Sequence, residues 1–280
     1  MSQNPNPLRQ WFRQPAIYIR LPSGGEFWPE NALDIPQNGE LPVLPMTALD
    51  EIAYRTPDSL FNGRAVVDVV QSCIPAIRNA WAMPAVDVNS VLISIRIASY
   101  GHEMEIASSC PSCKETSDYS IDMRNVLDNI ARPNYGQTVK LGDIEVFFRP
   151  LTLQQQTQVG QDQFETQRMI AAAQESSESD QAKIQAMSEV MKKINQVTVK
   201  ALAFGISGIR SPQAFVTEDE HITEFLTHCD RLTFSTIRDH AVSLRSSSDL
   251  RPMKIICSHC QHEYEQSIEL NMSNFFVTAS

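Results

Sequence analysis

An α+β fold is what this 280-residue sequence predicts, and three observations carry the prediction. Short alternating segments, the period of half-buried strands, occur near the N-terminus, around two C-x-x-C pairs, and from Val139 to Phe148. Two long stretches, roughly 152 to 175 and 181 to 207, read as helices. Each C-x-x-C pair sits at a bend between strand-like segments rather than at the start of a helix. The expected architecture is a set of small β-sheets with a ribbon split between two C-x-x-C β-knuckles, and an inserted helical region that includes a long helical hairpin. Residues 1–20 read as an N-terminal arm, 21–124 as an α+β domain with the first knuckle, 125–250 as a hairpin plus helical insertion, and 251–280 as the second knuckle and C-terminal tail.

The arm carries Arg9, Arg13 and Arg20 with no acid before Glu26, and places Trp11 and Phe12 between two arginines. It reads either as a disordered tail or as a segment that docks on a neighbouring subunit. Ile17 to Ile35 alternates and is broken by Ser23-Gly24-Gly25, which predicts a hairpin. Thr47 accepts from the first amides of a helix beginning at Ala48, whose dipole Asp50 and Glu51 complement. Arg64 to Ile74 predicts a second helix after the turn at Asn62-Gly63, and Asp87 is expected to cap a third, with Val88, Leu92, Ile95 and Ser99 as its core-facing stripe.

Strands follow through the first cysteine pair to Ile121, and VKLGDIEVFF predicts a hairpin with Gly142-Asp143 at its tip. The two long helices are separated by Ser176-Ser177-Glu178-Ser179-Asp180, and the second carries Ile184, Met187, Met191 and Ile194 at heptad spacing. That spacing predicts a coiled-coil type hairpin whose apolar residues pack inside the chain or against another one. Thr217 with Glu220 reads as a capping box before a helix to about Cys229. A further helix spans about Thr233 to Leu244, and Met253 opens the strand that carries the second pair.

The bulk numbers narrow the function. A hydrophobic content of 42% supports a substantial core. No apolar run approaches the roughly 18 residues that span a bilayer, and the first residues lack the apolar stretch of a secretion signal, so folding in a cytoplasm is expected. A net charge of −10 repels nucleic acid and anionic lipid and favours protein partners. Six cysteines are too sparse for a secreted disulfide scaffold, and four of them form two pairs, which in a reducing compartment points to metal.

Zinc prefers four thiolate or imidazole ligands in a tetrahedron, and each C-x-x-C turn offers two sulfurs. Cys110, Cys113, Cys257 and Cys260 are therefore the candidate ligands of one structural zinc. Residues 114 to 256 separate the pairs, against a usual interval of about 15 to 20 residues, so spacing alone is weak. The flanks are stronger: CPSCKETSDYSIDM lies without a gap over CSHCQHEYEQSIEL, and Met104-Glu105-Ile106 resembles Met253-Lys254-Ile255. Each knuckle sits in the same strand, turn, strand unit, with the helical region inserted between them. Competing readings are two unrelated reduced pairs, a redox pair, a rubredoxin-type iron site, which usually has glycine where Lys114 and Gln261 stand, and substitution of a ligand by His259 or His262. Cys73 and Cys229 read as small buried residues.

A catalytic zinc keeps one position open for water, and four thiolates leave none. The sequence contains no phosphate-binding glycine loop, no H-E-x-x-H and no G-x-S-x-G. The adjacent pairs His102-Glu103 and His221-Glu220 read as structural, and no enzyme is expected.

Between residues 19 and 123, IRLPSGGEFWP is followed by LPVLPMTALDEIAYRTPDSLFNGRAVVDVVQSCI and then VLISIRIASYGHEMEIASSCPSCK. This order resembles the baseplate-protein family of contractile-tailed phages, named for the T-even phages. The residues that carry the resemblance include Leu21 to Gly25, Pro45-Met46-Thr47, Asp50-Glu51, Asn62-Gly63, Arg96, Ser99-Tyr100-Gly101 and Cys110-Pro111-x-Cys113. It implies a structural or assembly component of a phage tail baseplate, a hub subunit or assembly factor found in the virion tail and partnered by other baseplate proteins. A zinc-ribbon module for nucleic acid, such as a transcription accessory factor, is the alternative. It needs a basic stripe, whereas the knuckle flanks carry Glu115, Asp118, Asp122, Glu263, Glu265 and Glu269.

Overall fold

The computed structural model describes residues 6–54, 63–175, 180–247 and 249–267. Its first strand, β1 (Ile17–Ile19), pairs antiparallel with β2 (Leu41–Val43), Ile17 opposite Val43 and Ile19 opposite Leu41. The expected hairpin at Ser23-Gly24-Gly25 is thus corrected: the partner strand lies beyond residue 40. The Ser23-Gly24-Gly25 turn serves a tertiary anchor instead. The Ser23 amide and hydroxyl donate to the Asp87 carboxylate at 2.8 and 2.6 Å, and Trp28 Nε1 donates to it at 2.8 Å. Gly24 and Gly25 adopt φ of 64° and 91°, and a Cβ on Gly25 would collide with Ile35.

Within residues 1–20, part of the chain is tied to the folded body. Arg13 reaches the folded body, donating to the carbonyls of Pro45 and Ser72 at 2.7 Å each and pairing with Asp50 at 3.2 Å. Ahead of it, the 3₁₀ turn Pro7–Trp11 leaves Leu8, Trp11 and Phe12 exposed.

Helix α1 (Ala48–Tyr54) starts as its sequence dictates: the Asp50 amide donates to Thr47 Oγ1 and the Thr47 amide to Asp50 Oδ2. Helix α2 (Arg64–Cys73) buries its valines and Cys73, and α3 (Ala85–Tyr100) runs through the first core. One expectation for α3 needs correction. Pro84, not Asp87, is its N-cap, and Asp87 lies within the first turn, fully buried and turned toward Ser23 and Trp28. Burial pushes the Asp87 carboxyl above its ordinary pKa, against the pull of the Ser23 and Trp28 donors. The expected stripe of Val88, Leu92 and Ile95 is buried, with Ser99 half-buried, and burial extends beyond it. Val91, Leu92, Ile93 and Ile95 are all buried, because a helix apolar on most sides is enclosed by its neighbours.

After Gly101, β3 (Glu103–Ser109) and β4 (Thr116–Asp122) form an antiparallel hairpin registered from Glu103–Asp122 to Ser109–Thr116. Ile121 and Met123 enter the first core, and Asp122 caps α4 (Met123–Asp128) by accepting from the Arg124 amide.

A second core assembles over the insertion. Strands β5 (Val139–Leu141) and β6 (Ile144–Phe148) turn at Gly142-Asp143 as expected, and β7 (Ile206–Arg210) and β8 (Phe215–Val216) extend them into a four-stranded antiparallel sheet in the order β5-β6-β7-β8. Helices α5 (Leu153–Glu175) and α6 (Asp180–Phe204) form the long hairpin, tied across by Lys193–Glu165 at 3.3 Å and Lys200–Asp162 at 3.1 Å. Asp180 is helical, and the connecting residues 176–179 lie outside the described residues. Residues 206 and 207, expected at the end of α6, belong to β7 because pairing with β6 overrides the helical continuation.

Helix α7 (Asp219–His228) begins at Glu218 with no side-chain cap, so the Thr217/Glu220 box does not form; the Thr217 amide donates to Glu218 instead. Helix α8 (Arg231–Ser246) starts two residues before the expected Thr233 because Asp230 accepts from the Leu232 and Thr233 amides. Val146, Phe148, Ile206, Ile222 and Ile237 form the centre of this core. The chain then returns to the first core through Leu250 and Met253 and forms the antiparallel pair β9 (Met253–Ile256) and β10 (Glu263–Gln266).

Truncating Asp87 to alanine leaves the Ser23 and Trp28 donors without their acceptor inside the fold. Urea unfolding of the Asp87→Ala variant is expected to show a stability loss of about 2–4 kcal/mol, set by buried unsatisfied donors.

Candidate metal centre

The first knuckle is built from the end of β3 and the start of β4. The Cys110 amide donates to the Glu115 carbonyl at 2.9 Å, and the Lys114 amide donates to the Cys110 carbonyl at 3.0 Å. The second knuckle repeats both bonds between β9 and β10: Cys257 amide to His262 carbonyl at 2.9 Å, and Gln261 amide to Cys257 carbonyl at 3.0 Å. Lys114 and Gln261 occupy the same position after the second cysteine, and both are left-handed, with φ of 64° and 60°. The sequence repeat is therefore a repeat of backbone geometry. The left-handed turn forms without the glycine that would favour it, at a cost of roughly 1–2 kcal/mol for an L-residue.

Both knuckles converge. The Sγ atoms of Cys110, Cys113, Cys257 and Cys260 all lie within 4.8 Å of one another, with Cys110 to Cys260 and Cys113 to Cys257 at 3.7 Å each. Four bonds of about 2.3 Å directed to tetrahedral corners place neighbouring sulfurs about 3.8 Å apart, so the donor set fits a four-coordinate thiophilic ion. A disulfide needs about 2.05 Å, and all four thiols are free. Cys110 and Cys257 are buried, Cys113 is half-buried and Cys260 is exposed.

The electrostatics follow from crowding four acids. Amide hydrogen bonds from Cys260 and His259 hold the Cys257 thiol down to about 6. At Cys113 the Glu115 amide pulls downward, yet desolvation and the other three sulfurs carry the thiol up to about 12. Four thiolates cannot share so small a volume unless a cation neutralises them.

The hairpins do not share a strand ladder; each is a separate two-stranded sheet. Side chains join them. Ser108 Oγ on β3 meets Tyr264 Oη at 2.9 Å and donates to Gln266 Oε1 at 2.6 Å, while Ser117 and Ser258 hydroxyls meet at 3.0 Å. Sequence reasoning missed these contacts; the gapless alignment of the two knuckles was the signal that could have located them. His259 and His262 are exposed, the latter stacked on Tyr264 with ring centroids 6.4 Å apart. Cys73 is buried in the first core, whereas Cys229 is half-buried at the end of α7. Of the two His/Glu pairs, the His102 carbonyl accepts from the Met123 amide, and exposed His221 faces Glu218 at 3.9 Å. Neither pair lies in the cysteine cluster.

Together the fold and this centre define an α+β protein clasped by cysteines, with four thiols suited to one metal ion joining two distant hairpins. Its sequence matches the family described as T4 bacteriophage base plate protein over residues 46–277, and the chain belongs to that family. The match runs through the helical insertion, while Leu21 to Gly25 lie ahead of it. Neither a curated protein nor a solved structure matches the chain. No helix among the described residues is long and apolar enough to cross a membrane.

Glycine adopts the left-handed conformation freely, so Lys114→Gly and Gln261→Gly are each expected to raise stability by about 0.5–1 kcal/mol. Lys114→Val should lower it; a denaturation series comparing the three variants checks the strained turns.

Proposed function

We propose that this chain is a non-enzymatic structural or assembly subunit of a contractile phage tail baseplate, in its hub region, assembled in the host cytoplasm and folded around one zinc ion. The family match supports the baseplate role. The observation that carries the zinc is the convergence of Cys110, Cys113, Cys257 and Cys260 at tetrahedral sulfur spacing. Cys110, Cys113, Cys257 and Cys260 would hold the ion, and four thiolates would leave it no open position for water, so its contribution is structural. In peptides a structural zinc is worth about 10–16 kcal/mol, comparable to the roughly 5–15 kcal/mol that stabilises a whole domain. The ion would thus decide whether the split ribbon closes. Other baseplate proteins are the proposed partners, reached through the N-terminal segment and the helical hairpin, and the acidic flanks of both knuckles disfavour nucleic acid.

Metal analysis of the purified chain should give one zinc per chain, lost in Cys110→Ser and Cys257→Ser variants. A strong chelator should release the ion together with the protection of β3, β4, β9 and β10 from amide exchange. Equimolar iron, or a metal-free chain with unchanged exchange, would contradict the zinc assignment. Mass spectrometry of purified virions and tail-assembly intermediates should find the chain in at least one of them; absence from both would contradict the baseplate role.

A further inference from the structure

The fold also leaves a cleft of about 790 Å³ between the helical hairpin and α8. One wall is α5, with Val159, Gln163, Thr166 and Ile170 at alternating steps of four, three and four. The second wall is α6, with Ile194, Thr198 and Ala201, and the third is α8, with Val242. Such spacing is how helices present side chains to another helix lying along them.

The row on α6 does not stop at the cleft. Ile184, Met187, Met191, Ile194, Thr198 and Ala201 make one continuous heptad row, about 26 Å long at ~1.5 Å per residue. The neighbouring row is buried at Val190 and Val197, the latter also lining the cleft, and beside it Lys193 and Lys200 reach across to Glu165 and Asp162 on α5. The upper part of the first row is left to solvent: Ile184 is 73% exposed, Met191 54% and Met187 36%. A heptad row that its own partner helix does not cover presents the geometry of a second helix-packing seam.

Charge indicates what the seam would receive. The chain has 33 acidic and 23 basic side chains, yet among the described residues lining the cleft the charged ones are Arg149, Arg238 and Arg245, with no aspartate or glutamate. Arg149 also pairs with Asp219, and Arg238 with Asp239, carboxylates that do not line the cleft. An apolar groove with cationic walls on an acidic protein is complementary to apolar residues flanked by carboxylates. A helix is about 10–12 Å across with its side chains, so the cleft takes one face of a helix rather than enclosing it. The occupant would stand beside α5, α6 and α8 as the fourth member of a bundle.

We infer that the cleft and the exposed α6 seam above it form the docking site for an acidic, amphipathic α-helix of another baseplate subunit. This rests on the baseplate reading for the identity of the partner, but the groove itself is tested without it. The probe is a labelled three-heptad synthetic helix with leucine at the seam positions and glutamates beside them at one end, titrated against the full zinc-loaded chain by fluorescence anisotropy. A second peptide carries lysine in place of each glutamate. The glutamate peptide should bind about tenfold or more tightly than the lysine peptide. The double variant R238E/R245E should abolish or reverse that preference, and M187E/M191E should weaken binding at least about tenfold, with helix content and zinc content unchanged in both.

Failure of the glutamate peptide to bind, equal affinity for the two peptides, or indifference to both variants overturns the inference. So does a concentration-dependent dimer in sedimentation that M187E/M191E disperses, which would make the occupant a second copy. In tail particles, a photo-crosslinker at position 191 should map to an acidic helix of another tail protein; a crosslink to this chain overturns the inference while leaving the baseplate role intact. Absence of the chain from virions and intermediates, with the peptide results as expected, would remove the baseplate role and keep the groove.

Discussion

Four sulfurs from two distant stretches of the chain lie within 4.8 Å of one another, and that convergence brings the two hairpins on either side of the insertion together. The two hairpins share no backbone ladder. The contacts of Ser108 and Ser117, together with the cysteine cluster, hold one against the other. Closing a loop as long as residues 114–256 costs entropy that grows slowly with length, so a single strong junction can secure a large insertion. The cluster also carries its own electrostatic demand. Crowding draws the Cys257 thiol down through amide donors and drives the Cys113 thiol up through its neighbouring sulfurs.

Behind the clasp are two hydrophobic cores with different origins. The first is local to the N-terminal half, where α3 is enclosed by α2, β1, β2 and the β3–β4 hairpin, and the C-terminal return contributes Leu250 and Met253. The second belongs to the insertion, where a four-stranded sheet packs on α7 and α8. Asp87 and Arg13 bind loops to the first core by buried or half-buried polar contacts, one holding the loop at Ser23 and Trp28, the other holding the start of the chain against Asp50 and Ser72. Such polar fasteners specify where a loop sits more than they add stability, since each exchanges bonds with water for bonds with protein.

Much of this was legible in residue patterns. The first two helices, the hairpins at Gly142-Asp143 and around each cysteine pair, and the helical hairpin follow from period, turn chemistry and capping residues. Errors fell where tertiary contacts outbid local signals. Ser23-Gly24-Gly25 has the chemistry of a hairpin turn, but its serine is claimed by Asp87, sixty-four positions away. Asp87 looks like a helix cap because it precedes an apolar run, yet its carboxylate faces inward. Ile206 reads as a continuation of α6 until β6 pairs with it. The arginine-lined cleft had no signature in the sequence, since Arg149 follows β6 while Arg238 and Arg245 stand on α8, some ninety residues later.

By itself the sequence determined the two C-x-x-C turns: their matched flanks, in a chain too poor in cysteine for a disulfide scaffold, set the same knuckle geometry twice through short-range bonds between neighbouring residues. Only the tertiary structure decided that the two knuckles meet, which residues replace water at the Asp87 carboxylate, and which heptad row of α6 is spent inside the hairpin and which is left facing out. The reason is physical. Turn and knuckle geometry is set by dihedrals and hydrogen bonds within about five residues, whereas juxtaposition across the chain depends on how whole elements bury their apolar faces against one another.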